Sequence, residues 1–334
     1  MPVENDHVTS MDEAILQRAE GVVEAATRAK AAIGKVVFGQ EEVVEFALTS
    51  VLAGGHALLV GVPGLAKTKL VDTMGVVLGL ATKRVQFTPD LMPSDILGAE
   101  ILEESAEGHR AFRFIKGPVF SQLLMADEIN RASPRTQSAL LQAMQEQHVT
   151  VAGTRHDLPR PFHVLATQNP LEQEGTYPLP EAQLDRFLME IDVDYPDREA
   201  ERRILFETTG SEETRPKPAM TAEDLMTAQR LVRRLPVGDS VVEAILALVR
   251  SARPGADGGD AKLISWGPSP RASQALMLAV RARALLDARL APSIDDVVEL
   301  AEPVLKHRMA LTFTARAEGE TIEGLIGRLK ARIG

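Results

Sequence analysis

One stretch constrains this chain more than any other: Ala57-Leu58-Leu59-Val60-Gly61-Val62-Pro63-Gly64-Leu65-Ala66-Lys67-Thr68. Four apolar residues read as a fully buried strand, a Gly/Pro turn follows, and a helix is predicted from Lys67. In this context the loop amides and the helix N-terminus form a concave cluster of positive dipoles that holds phosphate groups without side chains. Lys67 would reach the β- and γ-phosphates of a nucleotide and Thr68 would place its hydroxyl on Mg²⁺, with Lys69 beside them in the binding set. Ala66 stands where the pattern has its last glycine. A methyl is the smallest addition there and the amide donor is kept, so binding is expected to survive. The competing reading is an ordinary strand-to-helix turn with an accidental Lys-Thr.

A second element weighs against that reading. Leu123-Leu124-Met125-Ala126-Asp127-Glu128 is a hydrophobic strand ending in adjacent carboxylates, the shape of a Walker B element. A buried strand aims the first carboxylate at the metal, so Asp127 would hold the Mg²⁺ shell. Glu128 would orient and polarise the attacking water. An acidic helix start after a strand is the structural alternative.

Around these two elements the chain alternates strands and helices. An amphipathic helix is predicted over 11–33, with Ile15, Ala19, Val22, Val23 and Ala26 on one stripe, and another over 41–52. Strand-like runs recur at 84–87, 123–126, 162–167 and 188–193. Between them lies a helix over 134–147, with Ser133 as N-cap and Pro134 in the first helical position. Such alternation predicts a mostly parallel, doubly covered sheet. After Tyr195-Pro196-Asp197 strand-like runs vanish. Helices are predicted over 198–208, with Asp197 as cap, then after the Thr221/Asp224 capping pair, and over 240–251, 269–289, 293–306 and 321–332. With 334 residues the chain should hold about two domains. These are an α/β P-loop core over 1–195 and an all-helical lid over 196–334, with a Gly-rich linker over 253–260.

Composition narrows the function. The chain has no cysteine, so disulfides, zinc–thiolate sites, iron–sulfur clusters and thiol nucleophiles are excluded. Its formal charge of −10 argues against a nucleic-acid coat. The single Trp and two Tyr leave few stacking platforms for single strands. No apolar run approaches the roughly 20 residues of a membrane span. The acidic start, MPVENDHVTSMDE, does not read as a signal peptide. A soluble, cytoplasmic protein is the expectation.

The residues together resemble the AAA+ ATPases, and within them the MoxR family of the helix-2-insert clade, over most of the chain. Phe38-Gly39-Gln40-Glu41 is similar to the family's element beside the adenine. The stretches 86–95 (Gln-Phe-Thr-Pro-Asp-Leu-Met-Pro-Ser-Asp) and 166–187, which closes on Leu184-Asp185-Arg186-Phe187, are very like its signatures. The loop ending in Ala66-Lys67-Thr68 is also familiar there. The resemblance implies ATP and Mg²⁺ as cofactors. It makes Asn169 the sensor that hydrogen-bonds the γ-phosphate or its attacking water, where the residues alone allow a turn-forming Asn before Pro170. It makes Arg186 the arginine finger offered to a neighbouring subunit's nucleotide, where the residues alone favour a helix-end Arg. Arg271, in Gly267-Pro268-Ser269-Pro270-Arg271, resembles the second sensor at the start of a lid helix. Related clades differ in whether it serves its own subunit or a neighbour.

Two insertions match that clade. Over 98–120, Phe112-Arg113-Phe114 alternates like a strand, and over 148–157 a hairpin is predicted. In the family such loops line the ring pore or contact partners, and plain surface decoration is the alternative. The resemblance further implies a hexameric homo-oligomer and a chaperone-like role on a client protein or metalloenzyme, with a von Willebrand A-domain partner. A magnesium-chelatase-type subunit shares this logic and is the nearest alternative. A nucleic-acid motor would need basic pore loops, whereas 100–108 is acidic. The seven His show no paired metal spacing. Arg202-Arg203 and Arg233-Arg234 read as solvated helix faces, and Arg131 and Arg135 as surface or interface residues.

Overall fold

The computed structural model describes residues 5–104, 110–172, 174–210, 214–256 and 258–333, with side chains described from residue 20. Ile15 and Ala19 of the predicted stripe, positions 105–108 of the acidic insertion and Gln173 therefore lie outside the described side chains.

The chain runs through α1 (Asn5–Gly34), α2 (Glu41–Leu52), β1 (Ala57–Val60), α3 (Lys67–Val77), β2 (Thr82–Gln86), α4 (Pro93–Leu97), β3 (Gly98–Glu104) and β4 (Arg110–Lys116). It continues with β5 (Leu123–Asp127), α5 (Pro134–Glu146), β6 (His148–Val151), β7 (Thr154–Asp157), β8 (His163–Gln168), α6 (Glu181–Leu184) and β9 (Met189–Asp192). Then follow α7 (Arg198–Thr209), α8 (Ala222–Val232), α9 (Asp239–Ser251), β10 (Ile264–Trp266), α10 (Pro270–Leu286), α11 (Ile294–Leu305), β11 (Ala310–Leu311), α12 (Phe313–Ala317) and α13 (Ile322–Lys330).

Five strands form a parallel sheet in the order β2-β5-β8-β1-β9. The continuous apolar runs sit at its centre because both faces there are covered: β5 is buried at every residue. Alternate side chains feed two cores. Leu123 and Met125 join one cluster, which also contains Ala57 and Leu59, whereas Leu124 and Ala126 join the other with Leu58. The first cluster continues into the helical part through Leu225, Leu276 and Leu300, so one sheet face and the lid helices share a hydrophobic core.

The helix starts follow their caps. Ser133 accepts from the Thr136 amide and Asp197 from the Ala200 amide, while Thr221/Asp224 and Ser293/Asp296 close reciprocal capping boxes. Strand ends differ from the sequence reading by a residue or two; the strand predicted at 84–87 is Thr82–Gln86. The lid is helical with one addition: β10 and β11 pair antiparallel, Ile264 opposite Leu311. Strands of three and two residues are too short for a period-two signal. The insertion over 98–120 is a hairpin of β3 and β4, longer than the 112–114 alternation, with Leu102 opposite Phe112 and both exposed. The second hairpin, β6 and β7, spans 148–157 as expected.

Candidate functional site at the strand ends

The loop after β1 is fixed by its neighbours. The Gly61 amide donates to the Gln168 carbonyl at 3.1 Å. A Cβ at Gly61 would stand 2.5 Å from the Val193 carbonyl oxygen, so no side chain fits. Ala66 has φ 57° and ψ 17°, the left-handed conformation a glycine would adopt without strain. The N-terminus of α3 opens onto a cavity of about 460 Å³. Pro63, Gly64, Leu65, Ala66, Lys67, Thr68 and Lys69 form one wall; Arg84, Gln86, Asp127, Glu128, Thr167 and Asn169 form the other. Within it, the Lys67 ammonium donates to the carbonyls of Gly61 and, at 2.8 Å, of Val62. Burial pulls its pKa below the usual lysine value, with the Asp127 and Glu128 carboxylates opposing that shift.

At the end of β5 the two carboxylates are held differently. Asp127 Oδ1 accepts from Thr167 Oγ1 at 2.6 Å and Oδ2 from Arg84 Nη2 at 2.5 Å. The same Thr167 oxygen accepts from the Glu128 amide at 2.9 Å. Glu128 is left-handed, with φ 54° and ψ 52°, a strained conformation of the kind found at functional sites. Its Oε2 accepts from Gln86 Nε2 at 2.6 Å and from Arg131 Nη1 at 2.9 Å. Asn169, just past β8, lines the cavity while its Oδ1 accepts from the Leu171 amide at 3.1 Å. Asn169 thus makes the turn-forming bond while it lines the cavity.

Phe38, Gly39 and Gln40 lie beside this cavity and not in it. Phe38 is buried beneath Arg203 of α7, whose guanidinium carbon is 4.7 Å from the ring centroid. Gly39 has φ +67°, and a Cβ there would come within 2.4 Å of the Ala200 Cβ. Gln40 Nε2 donates to the Asp194 carbonyl at 2.8 Å. A smaller adjoining cavity, about 280 Å³, is lined by Lys35, Val36, Phe38, Lys69, Glu207 and Thr208 among others. Lys69 borders both spaces.

Arg186 and Arg271 stand apart from the phosphate-loop cavity in this chain. They flank Asp185 instead. Arg271 Nη1 is 3.8 Å from Asp185 Oδ2, and Ser269 Oγ donates to the same oxygen at 3.4 Å. Arg308 fills the other side. It donates to Asp185 Oδ1 at 2.7 Å, to the Phe187 carbonyl at 2.6 Å and to the Leu188 carbonyl at 3.1 Å, and is 2% exposed. Lid and core are thus joined at the residue preceding Arg186.

Sequence reasoning missed Arg84, Gln86, Thr167, Asp185 and Arg308. Arg84 and Gln86 had a signal: they alternate with buried Val85 on β2, so they share the face turned to the end of β5. Arg308 had none, since 123 positions separate it from Asp185.

A phosphate loop after β1, paired carboxylates at the end of β5, one strand removed, and a helical C-terminal part define an ATPase of the AAA class. The family described as "ATPase family associated with various cellular activities (AAA)" matches residues 56–189, and the AAA lid domain matches residues 260–328. The Chaperone MoxR1 of Mycobacterium tuberculosis is 41% identical over 93% of this chain and 83% of its own length. Protein MoxR of Paracoccus denitrificans is 33% identical over 85% and 88%. A solved structure from Cytophaga hutchinsonii, 37% identical, covers 98% of both chains with a TM-score of 0.87. The chain belongs to the MoxR family of AAA+ ATPases. It binds nucleotide and is an ATP hydrolase. Among the described residues no helix is long and apolar enough to cross a membrane.

Proposed function

We propose that this chain hydrolyses Mg-ATP within a head-to-tail hexameric ring and uses the cycle to remodel or activate a client protein or metalloenzyme in the cytoplasm, with a von Willebrand A-domain protein as partner. The observation that carries this reading is the single cavity shared by Lys67, Thr68, Asp127, Glu128 and Asn169, from three separate strand ends. In it the core spans 1–195 and the lid 196–334.

Lys67 neutralises charge on the β- and γ-phosphates, alongside the amides of residues 61–69. Thr68 and Asp127 offer hard oxygen donors, the set that suits Mg²⁺ bound largely through phosphates and water; among the described residues no cluster of three or more His, Asp or Glu competes for a metal. When bound, the cation supplies charge neutralisation on the phosphates. Glu128 accepts the proton of the water that attacks the γ-phosphorus, once Gln86 and Arg131 release its carboxylate. Asn169 orients that water or the γ-phosphate. Phe38, Gly39 and Gln40 border the base. Arg186 stabilises the transferring phosphoryl group in the next subunit, and Arg271 reports nucleotide to the lid. Donation by one surface and receipt by another make the contacts heterologous, which closes into a ring.

Complementation tests the reading. Glu128→Gln and Arg186→Ala proteins should each bind ATP yet hydrolyse it about 100-fold or more slowly. Mixed, they should regain turnover, because an intact Glu128 site then meets an intact Arg186. A mixture as inactive as its components would remove Arg186 from the neighbour's site, and unimpaired Glu128→Gln turnover would sink the catalytic assignment.

A further inference from the structure

His163 opens β8, so the space around it lies at the opposite end of the sheet from the phosphate loop. A cavity of about 400 Å³ is found there, and three guanidinium groups line it: Arg160, Arg230 and Arg233. Arg160 comes from the segment between β7 and β8, on the core side. Arg230 and Arg233 come from the C-terminal end of α8. Among the described residues none of the three makes an ion pair, and no carboxylate lines the cavity. This is unexpected in a chain carrying 47 acidic residues against 37 basic ones. The dipole at the end of α8 accounts for cations at Arg230 and Arg233. It does not account for Arg160, which belongs to another element.

The floor is rigid and uncharged. His163 Nδ1 donates to the Gly55 carbonyl at 2.8 Å, and its Nε2 accepts from Gln229 Nε2 at 2.9 Å. Gln229 Nε2 also reaches the Val51 carbonyl at 2.9 Å. Burial pushes the His163 pKa down to about 4, so the imidazole stays neutral. Phe162, Pro161 and Met226 supply apolar surface beside the arginines.

We propose that this cavity is a second anion site, distinct from the ATP site, which takes a phosphate group on a small molecule. Guanidinium forks match phosphate oxygens in pairs, and three unneutralised forks around an apolar floor are a match for that chemistry. The size suits a small ligand. Because Arg160 and the arginines of α8 come from separate elements, a bound phosphate bridges them.

Calorimetry on ADP-saturated protein, which keeps the phosphate loop occupied, tests this at fixed ionic strength with inorganic phosphate, pyrophosphate and phenyl phosphate. Saturable binding is expected, weakened about tenfold or more by Arg160→Ala and by Arg233→Ala. Arg316→Ala, on the distant α12, should leave it unchanged. Phenyl phosphate binding tighter than inorganic phosphate assigns the site to an organic phosphate; equal binding assigns it to the free ion. Absence of saturable binding by all three overturns the proposal. So does binding that survives in an Arg160→Ala/Arg233→Ala double variant with wild-type thermal unfolding. An acidic peptide that binds where the three phosphates do not would also overturn it, marking the surface as a protein contact.

Discussion

Two carboxylates in this molecule each pair with an arginine, and they are held in opposite ways. Asp127 meets Arg84, whose side chain is 50% exposed. Asp185 meets Arg308, whose side chain is 3% exposed and whose other nitrogens are bound by backbone carbonyls. An exposed cation can leave for water at little cost, whereas a buried one cannot leave without stranding a charge. If Asp127 holds a metal as proposed, the first pair is a placeholder that the cation displaces. The second is a rivet, suited to holding the loop of Arg186 against the lid.

This contrast can be broken most directly at the rivet. Arg308→Ala should destabilise the fold by about 3–5 kcal/mol, because Asp185 keeps only the long contacts to Arg271 and Ser269, and the Phe187 and Leu188 carbonyls lose their donor. Chemical denaturation reads this, and a loss as small as at Arg84 would erase the distinction. Thr167→Val comes next. It removes one hydroxyl that serves both Asp127 and the Glu128 amide, so a loss of about 1–3 kcal/mol is expected, with impaired turnover. A stability loss without a fall in turnover would separate Thr167 from the chemistry. Arg84→Ala should cost about 1 kcal/mol or less. Titrating Mg²⁺ in an ATPase assay should then show half-activation at a lower concentration, as Asp127 no longer has a competing cation. An unchanged midpoint would mean that Arg84 is not a placeholder. The smallest effect is at the loop: Ala66→Gly relieves the left-handed alanine and should leave stability the same or raise it by about 1 kcal/mol in thermal unfolding.

The same contrast explains what could be read in advance. The phosphate loop and the Asp127-Glu128 pair are local: a few contiguous residues define strand, turn and charge, and the residues flanking them fell where the pattern put them. Capping residues such as Ser133 and Thr221 were legible for the same reason, since a cap acts over three positions. Asp185 and Arg308 meet only because α11 returns the chain to β9, and a spacing of that length leaves no periodic trace. Arg84 and Gln86 fall between these cases. Their alternation was visible, but it takes the pairing of β2 with β5 to show what they face. Arg233 reads from the sequence as part of a solvated helix face, and its sharing a cavity with Arg160 depends on how α8 meets the core.

Strand order carries a consequence of scale. β8 separates β1 from β5, so the loop bearing Lys67 and the turn bearing Glu128 stand two strand spacings apart, about 10 Å. That interval is fixed by backbone hydrogen bonding and is therefore indifferent to side-chain substitution. It acts as a caliper. If the phosphates lie as proposed, a single phosphate rests against one jaw, while a longer phosphate chain touches both.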